Sequence, residues 1–162
     1  MKKKIVCLDI HHKPIEVDVS ELTFRPSVYG VLIEDEKVLL SKQWDGYDLP
    51  GGGIKIDETI EEALVREFKE ETGLEVKPIK PIYCRTGFFA PNLSDEGQFW
   101  NSVLIYFLVE KVGGDISIKA CDTDEEKYLG LPEWIEVGKI KDLKFYNTTD
   151  NEELIREALK NK

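Results

Sequence analysis

Pro50-Gly51-Gly52-Gly53-Ile54-Lys55-Ile56-Asp57-Glu58-Thr59-Ile60-Glu61-Glu62-Ala63-Leu64-Val65-Arg66-Glu67-Phe68-Lys69-Glu70-Glu71-Thr72-Gly73-Leu74 is the stretch on which the whole chain can be read. Three glycines run into the pattern of a single amphipathic helix, with Ile60, Ala63, Leu64 and Phe68 as its apolar stripe. At about 100° per residue, Glu67, Glu70 and Glu71 share an arc of roughly 100°, and Glu67 and Glu71 fall inside the apolar stripe. Two carboxylates are therefore aimed at the protein and not at bulk water. Asp57 can cap the helix, its acidic first turn suits the macrodipole, and Gly73 supplies a stop.

Like charges at i,i+4 cost about 0.2–0.5 kcal/mol per pair even when exposed, and desolvation adds to this. A bound cation removes both penalties. Three carboxylates with no His or Cys among them suit a hard, oxygen-seeking ion, Mg²⁺ or Mn²⁺ in preference to zinc. An ordinary solvated acidic helix is the competing account, and Glu62 with Arg66, in the favourable i,i+4 order, fits it. Glu67 and Glu71 do not.

Gly52, five residues, Glu58, seven residues, then Arg66-Glu67-Phe68-Lys69-Glu70-Glu71-Thr72-Gly73-Leu74 resembles the complete signature of the Nudix hydrolases. Seven positions of fixed identity match by chance on the order of once in a billion starts. The resemblance covers roughly residues 25 to 140. It implies an α/β fold, a Nudix-type α/β/α sandwich with a mixed, strongly curved sheet. It further implies a metal-dependent pyrophosphohydrolase cleaving a nucleoside diphosphate linked to another group. On the family pattern Glu67 and Glu71 are principal metal ligands, Glu70 a ligand or water-mediated partner and the Gly52 carbonyl a supporting ligand. Glu67, Glu70 and a carboxylate of the 122–126 run are candidates for the general base, and Arg66 and Glu58 orient the carboxylates. One departure is Lys55, where many members carry another acid.

The 162 residues support one compact domain, and a net charge of −10 argues against a long nucleic acid as partner, since no basic stripe exists to release counterions. Cys7, Cys84 and Cys121 are scattered and odd in number, which reads as reduced thiols in a cytoplasmic protein. The apolar run behind Lys2-Lys3-Lys4 is too short for a signal peptide, and the longest, Val103 to Val109, cannot span a membrane.

Along the chain, residues 3–10 and 15–19 read as an N-terminal β-hairpin around His11-His12-Lys13-Pro14, forming an extension (1–24) packed on a domain of residues 25–162. The two histidines read as loop residues. Ser27 to Glu34 and Lys37 to Lys42 predict a second hairpin, with Pro26 at an edge or strand start. Glu75 to Cys84 resembles a strand interrupted by Pro78 and Pro81, and 87–97 reads as a loop carrying Phe88 and Phe89. Phe99 to Glu110 is a long strand buried on both faces in its second half. Ile116 to Lys119 and Trp134 to Val137 predict further strands, and Asp150 to Lys160 a terminal helix with Leu154, Ala158 and Leu159 as its stripe.

One helix can surround a metal from one side only, so a further carboxylate must face it. By resemblance this is an acid in the loop before Trp134, and Glu125 or Glu126 is expected, with Glu96 as rival. Arg25 and Lys42 are expected to meet phosphates, and Phe88, Phe89, Trp100 or Trp44 to stack a base. The expected partner is a small nucleotide, either a nucleoside triphosphate, an oxidised one included, or a nucleotide sugar such as ADP-ribose, with the protein as monomer or homodimer. A non-catalytic nucleotide-sensing module on the same fold is the alternative. It has no need of Glu67, Glu70 and Glu71 together.

Overall fold

A computed structural model describes residues 3–91, 98–118 and 129–162. Among them are the strands β1 (Lys4–Asp9), β2 (Pro14–Asp18), β3 (Leu22–Glu34), β4 (Lys37–Gln43), β5 (Gly46–Asp48) and β6 (Gly51–Gly53). Helix α1 (Ile60–Thr72) is followed by β7 (Leu74–Ala90), β8 (Phe99–Gly114), β9 (Leu129–Glu136) and helix α2 (Asn151–Lys160). The strands order as β2-β1-β7-β8-β3-β4-β5, with β6 against β3 and β9 against β4. The β1–β7 and β3–β8 pairs are parallel and β7–β8 and β3–β4 antiparallel, so the sheet is mixed, and it is strongly curled.

The two-residue period of the central strands sorts their side chains into two cores. Val28, Leu32, Leu39, Phe107 and Val109 pack with Ala63, Leu64 and Phe68 of α1. The intervening Val31, Ile33, Val38, Leu40, Tyr106 and Leu108 pack with Leu154, Ile155 and Ala158 of α2. Both faces of the sheet are covered by helix, which is the expected α/β/α sandwich. It also explains why the second half of β8 is apolar without alternation.

The structure differs from the sequence expectations at several elements. Pro26 lies inside the 13-residue β3, in register with Val103. Its carbonyl accepts from Ile54 N–H at 3.0 Å, so its missing N–H lies on the same side, where β6 has ended and no ladder bond is required. Pro78 and Pro81 do not interrupt β7, because register shifts between Pro78 and Lys80 and between Pro81 and Tyr83 absorb them. The strand therefore continues through Phe88 and Phe89, which are not in a loop. Residues 115–118 form no strand, and Lys119 lies outside the described residues. In α2 the buried stripe is Leu154, Ile155 and Ala158, whereas Leu159 is 40% exposed.

Candidate functional site

Helix α1 is fixed at both ends. Thr59, not Asp57, is its N-cap: the Thr59 hydroxyl accepts from Glu62 N–H at 3.2 Å, and the Glu62 carboxylate accepts from Thr59 N–H at 2.8 Å. This reciprocal cap uses Glu62, so the expected Glu62–Arg66 pair does not form. Gly73 closes the helix at φ 75°, where an added Cβ would sit 2.3 Å from Asp115 O. The buried stripe starts at Ala63, one turn in from the half-exposed Ile60. A Cβ on Gly30 of β3 would lie 2.7 Å from the Phe68 ring, so glycine at this position lets the helix settle close to the sheet.

That seating carries two carboxylates inward, with Glu67 at 9% and Glu71 at 6% exposure. Glu71 Oε2 accepts from Ser41 Oγ at 2.7 Å and from Gly51 N–H at 3.2 Å. Burial nonetheless raises its pKa well above the usual carboxylate range against those two donors, and the charges of Glu67 and Asp48 push the same way. Glu67 lies against β6, where an added Cβ on Gly52 would be 2.7 Å from its carboxyl carbon. Arg66 Nη1 donates to Glu67 Oε1 at 2.7 Å and to Glu70 Oε2 at 3.1 Å. Its Nη2 reaches Glu58 at 2.6 Å and the Gly53 carbonyl at 3.1 Å.

As they stand, no three His, Cys, Asp or Glu among the described residues converge as a finished metal cage, because Arg66 holds the ground between Glu67 and Glu70. The donor set still fits a hard divalent cation. All its atoms are oxygens, two of its carboxylates are buried, and burial disfavours the charged form of Glu71, which a bound cation would stabilise. The glycine strand leaves room beside Glu67 that any side chain would fill.

These carboxylates open on a cavity of about 250 Å³. Gly51, Gly52, Gly53, Glu67 and Glu71 line it on the helix side, and Arg25, Phe89, Trp100, Trp44 and Tyr146 contribute to the other walls. Arg25 donates to Ser27 Oγ at 2.9 Å and stands 4.2 Å over the Trp100 ring, whose centroid is 6.0 Å from that of Phe89. Trp44, at φ 44° in the β4–β5 turn, packs edge-on against Tyr146 at 5.0 Å. Asp48 also lines the cavity, and its Oδ1 accepts from Leu49 N–H at 2.8 Å and Asn147 Nδ2 at 2.5 Å. Burial raises the Asp48 pKa to about 6 in spite of both donors.

Of the residues singled out from sequence, Arg25, Trp44, Gly52, Glu67, Glu71, Phe89 and Trp100 line this cavity, and Arg66, Glu58 and Glu70 bracket its carboxylate wall. Lys42 does not line it: the side chain pairs with Glu133 at 2.6 Å. Phe88 faces the other way, packing on the Cys7, Val17 and Ala90 cluster, since adjacent strand residues point to opposite faces. Glu96, Glu125 and Glu126 lie outside the described residues. Sequence reasoning missed Asp48, Asn147, Tyr146 and Ile10. A polar residue directly before Leu49-Pro50 was a signal for Asp48, but nothing local marked Asn147 or Ile10.

The family model for the NUDIX domain matches residues 23–158. The chain is 32% identical over 141 residues to an ADP-ribose pyrophosphatase of Methanocaldococcus jannaschii, covering 83% of this chain and 72% of that one. It is 29% identical over 150 residues to an RNA pyrophosphohydrolase of Stutzerimonas stutzeri, covering 85% and 90%. In fold it is similar to a NUDIX hydrolase from Nitrosomonas europaea, with a TM-score of 0.65 at 20% identity over 86% of this chain and 90% of that one. The match spans every element that builds the carboxylate wall and its glycine strand, and the chain belongs to the NUDIX family of hydrolases, which act on phosphoric anhydride bonds.

Proposed function

We propose that this chain hydrolyses small nucleoside diphosphate derivatives of the ADP-ribose kind, using Mg²⁺ or Mn²⁺ held by Glu67, Glu70, Glu71 and the Gly52 carbonyl. The observation that carries this reading is the buried pair Glu67 and Glu71 against the glycine strand, in a cavity that also holds Arg25 and two pairs of aromatic rings. Carboxylates and glycine backbone suit the cation and the anhydride, Arg25 a phosphate, and the rings a base or sugar. The family is generally dependent on a divalent cation. A relative named for ADP-ribose, matched over 83% of this chain and 72% of its own, and a net charge of −10 both favour a small nucleotide over a long chain.

When bound, the cation screens the phosphate oxygens, lowers the pKa of a water and stabilises the departing phosphate. The protein's part is to place the groups. A water oxygen attacks one phosphorus in line, the anhydride P–O bond breaks, and the water's proton passes to a carboxylate. Glu67, Glu70 or an acid of residues 122–126 takes it. Arg66 and Glu58 are positioning residues that hold Glu67 and Glu70 in place. Arg25 neutralises the substrate phosphate nearest Trp100. The further ligand expected ahead of Trp134, Glu125 or Glu126, lies outside the described residues and completes the proposed set.

The test is product analysis over a panel with and without Mg²⁺ or Mn²⁺: ADP-ribose, normal and oxidised nucleoside triphosphates, a dinucleoside polyphosphate and a short 5′-triphosphorylated RNA. The expected result is AMP and ribose 5-phosphate from ADP-ribose at the highest kcat/KM. Preferred pyrophosphate release from the RNA would move the substrate to the class named in the second relative. Tight nucleotide binding without turnover would support the sensing alternative.

A further inference from the structure

We propose that Ile10, which leaves β1 at the turn of the N-terminal hairpin, is a specificity-determining residue: it is the wall that limits what a substrate carries beyond its phosphates. This rests on the small-nucleotide reading above. β1 runs parallel to β7 with Leu8 in register with Phe89 and Asp9 with Ala90, so the chain leaves β1 beside Phe89. Ile10 then lines the same cavity as Phe89, Pro91 and Trp100.

Contacts order the lining from one end to the other. Glu67 lies against Gly52, and the Arg25 guanidinium against Gly53 and over Trp100. Trp100 neighbours Phe89, and Phe89 is in register with the hairpin strand that ends one residue before Ile10. Arg25, Trp100 and Phe89 thus stand between the carboxylates and Ile10. A substrate with its phosphates at Glu67 presents its far end to Ile10.

The wall is rigidly mounted. Asp9, 2% exposed, accepts the N–H groups of His11 and Lys13 at 2.8 Å each, while His12 N–H donates to the Asp9 carbonyl at 2.9 Å. Those donors hold the Asp9 pKa below the usual range, the Lys13 N–H foremost, so the turn keeps its clamp at neutral pH. Cys7, Val17 and Ala90 form a fully buried cluster that fastens the hairpin to β7. Because the family match begins at residue 23, this wall comes from outside the matched region. A branched hydrocarbon offers contact to the apolar face of a base or sugar and no donor to a charged continuation, so it favours a compact end group over a polyanionic one.

The experiment compares wild type with Ile10→Trp and Ile10→Ala, and with Val6→Ala on the exposed face of the same hairpin as control. Each is assayed on the small nucleotide of highest kcat/KM and on 5′-triphosphorylated RNA, with melting temperature recorded. Ile10→Trp should raise KM for the small nucleotide about tenfold with kcat within about twofold, and Ile10→Ala should shift the kcat/KM ratio toward the RNA by about tenfold. Val6→Ala should match wild type. If wild type turns over small nucleotides and both folded Ile10 variants keep its KM values and its ratio, or lose kcat equally on both substrates, the wall is overturned and the functional reading stands. A wild type that turns over no small nucleotide overturns the functional reading and the wall with it.

Discussion

The Arg66 guanidinium meets the Glu58 carboxylate at two points, Nη2 to Oε1 at 2.6 Å and Nε to Oε2 at 2.9 Å, across the start of α1. This two-pronged pair raises the Arg66 pKa and lowers that of Glu58, and it leaves Nη1 aimed at Glu67 and Glu70. A single side chain therefore ties together the approach to the helix, the glycine strand and two of its carboxylates. Lysine cannot copy a planar fork. Arg66→Lys is expected to lower activity about 10- to 100-fold at limiting Mg²⁺, with partial recovery at high Mg²⁺, and Glu58→Gln to do the same more weakly. Titration of kcat against metal concentration checks both, and a loss that no metal concentration relieves would contradict the positioning role.

Glu67→Gln and Glu71→Gln keep shape and remove charge. Each should lower kcat by about 10²-fold or more. The raised Glu71 pKa means the metal-free fold loses stability as pH rises above the unfolded carboxylate value, so Glu71→Gln should melt at the same temperature as wild type or higher at neutral pH without metal. The inert control on this helix is Glu61→Gln, since Glu62 completes the N-terminal cap. Equal activity losses at Glu61, Glu67 and Glu71 would refute the assigned helix face.

Gly52→Ala tests the close approach of β6 to α1. The new methyl carbon would fall 2.7 Å from the Glu67 carboxyl group, so either the strand or the carboxylate must shift. Activity should drop by about 10²-fold with the secondary structure retained, since small misplacements of this size cost about that much. Circular dichroism alongside the rate measurement separates this from unfolding.

Asp48 makes a signed prediction about pH. Its folded pKa of about 6 exceeds the usual 3.8, so the folded state keeps a proton that the unfolded chain has lost. The stability contributed by this group is complete below about pH 4 and declines as pH rises toward 6. Subtracting the melting temperatures of Asp48→Asn from those of wild type, without metal, should show that decline between pH 4 and 6. A flat difference curve would mean that Asp48 ionises normally in the folded protein.

Metal should stabilise the fold by mass action, because the Glu67 carboxylate meets the Gly52 strand only when α1 is seated on the sheet. At about 100 times its Kd a cation adds roughly 2.7 kcal/mol, a rise of several degrees in melting temperature. Glu67→Gln should shrink the rise, and excess chelator should abolish turnover. Full activity in chelator would refute metal dependence.

Between Pro50 and Leu74 the order of residues alone settled most of what matters. A helix places side chains by a fixed local period, so the inward turn of Glu67 and Glu71 and the stop at Gly73 followed from spacing. The continuous apolar run in the second half of β8 likewise announced a strand buried on both faces. Local rules failed where partners compete for one group. Arg66 could pair with Glu62 on spacing, but Thr59 claimed Glu62 for the cap and Glu58 claimed Arg66.

Tertiary structure alone decided the rest of the cavity. Asp48 meets Asn147 from 99 residues away. Ile10 joins Phe89 and Trp100 in lining one cavity because β1 runs alongside β7, and Lys42 pairs with Glu133, which β9 brings beside it. Which of two β faces a residue presents is set by register, and register between distant strands depends on every bulge along them, such as those that carry β7 past Pro78 and Pro81. The chemistry of this chain is written in a 25-residue span, where geometry is local. The shape of what it binds is assembled from strands and turns far apart in sequence, whose side chains meet only after the sheet has closed.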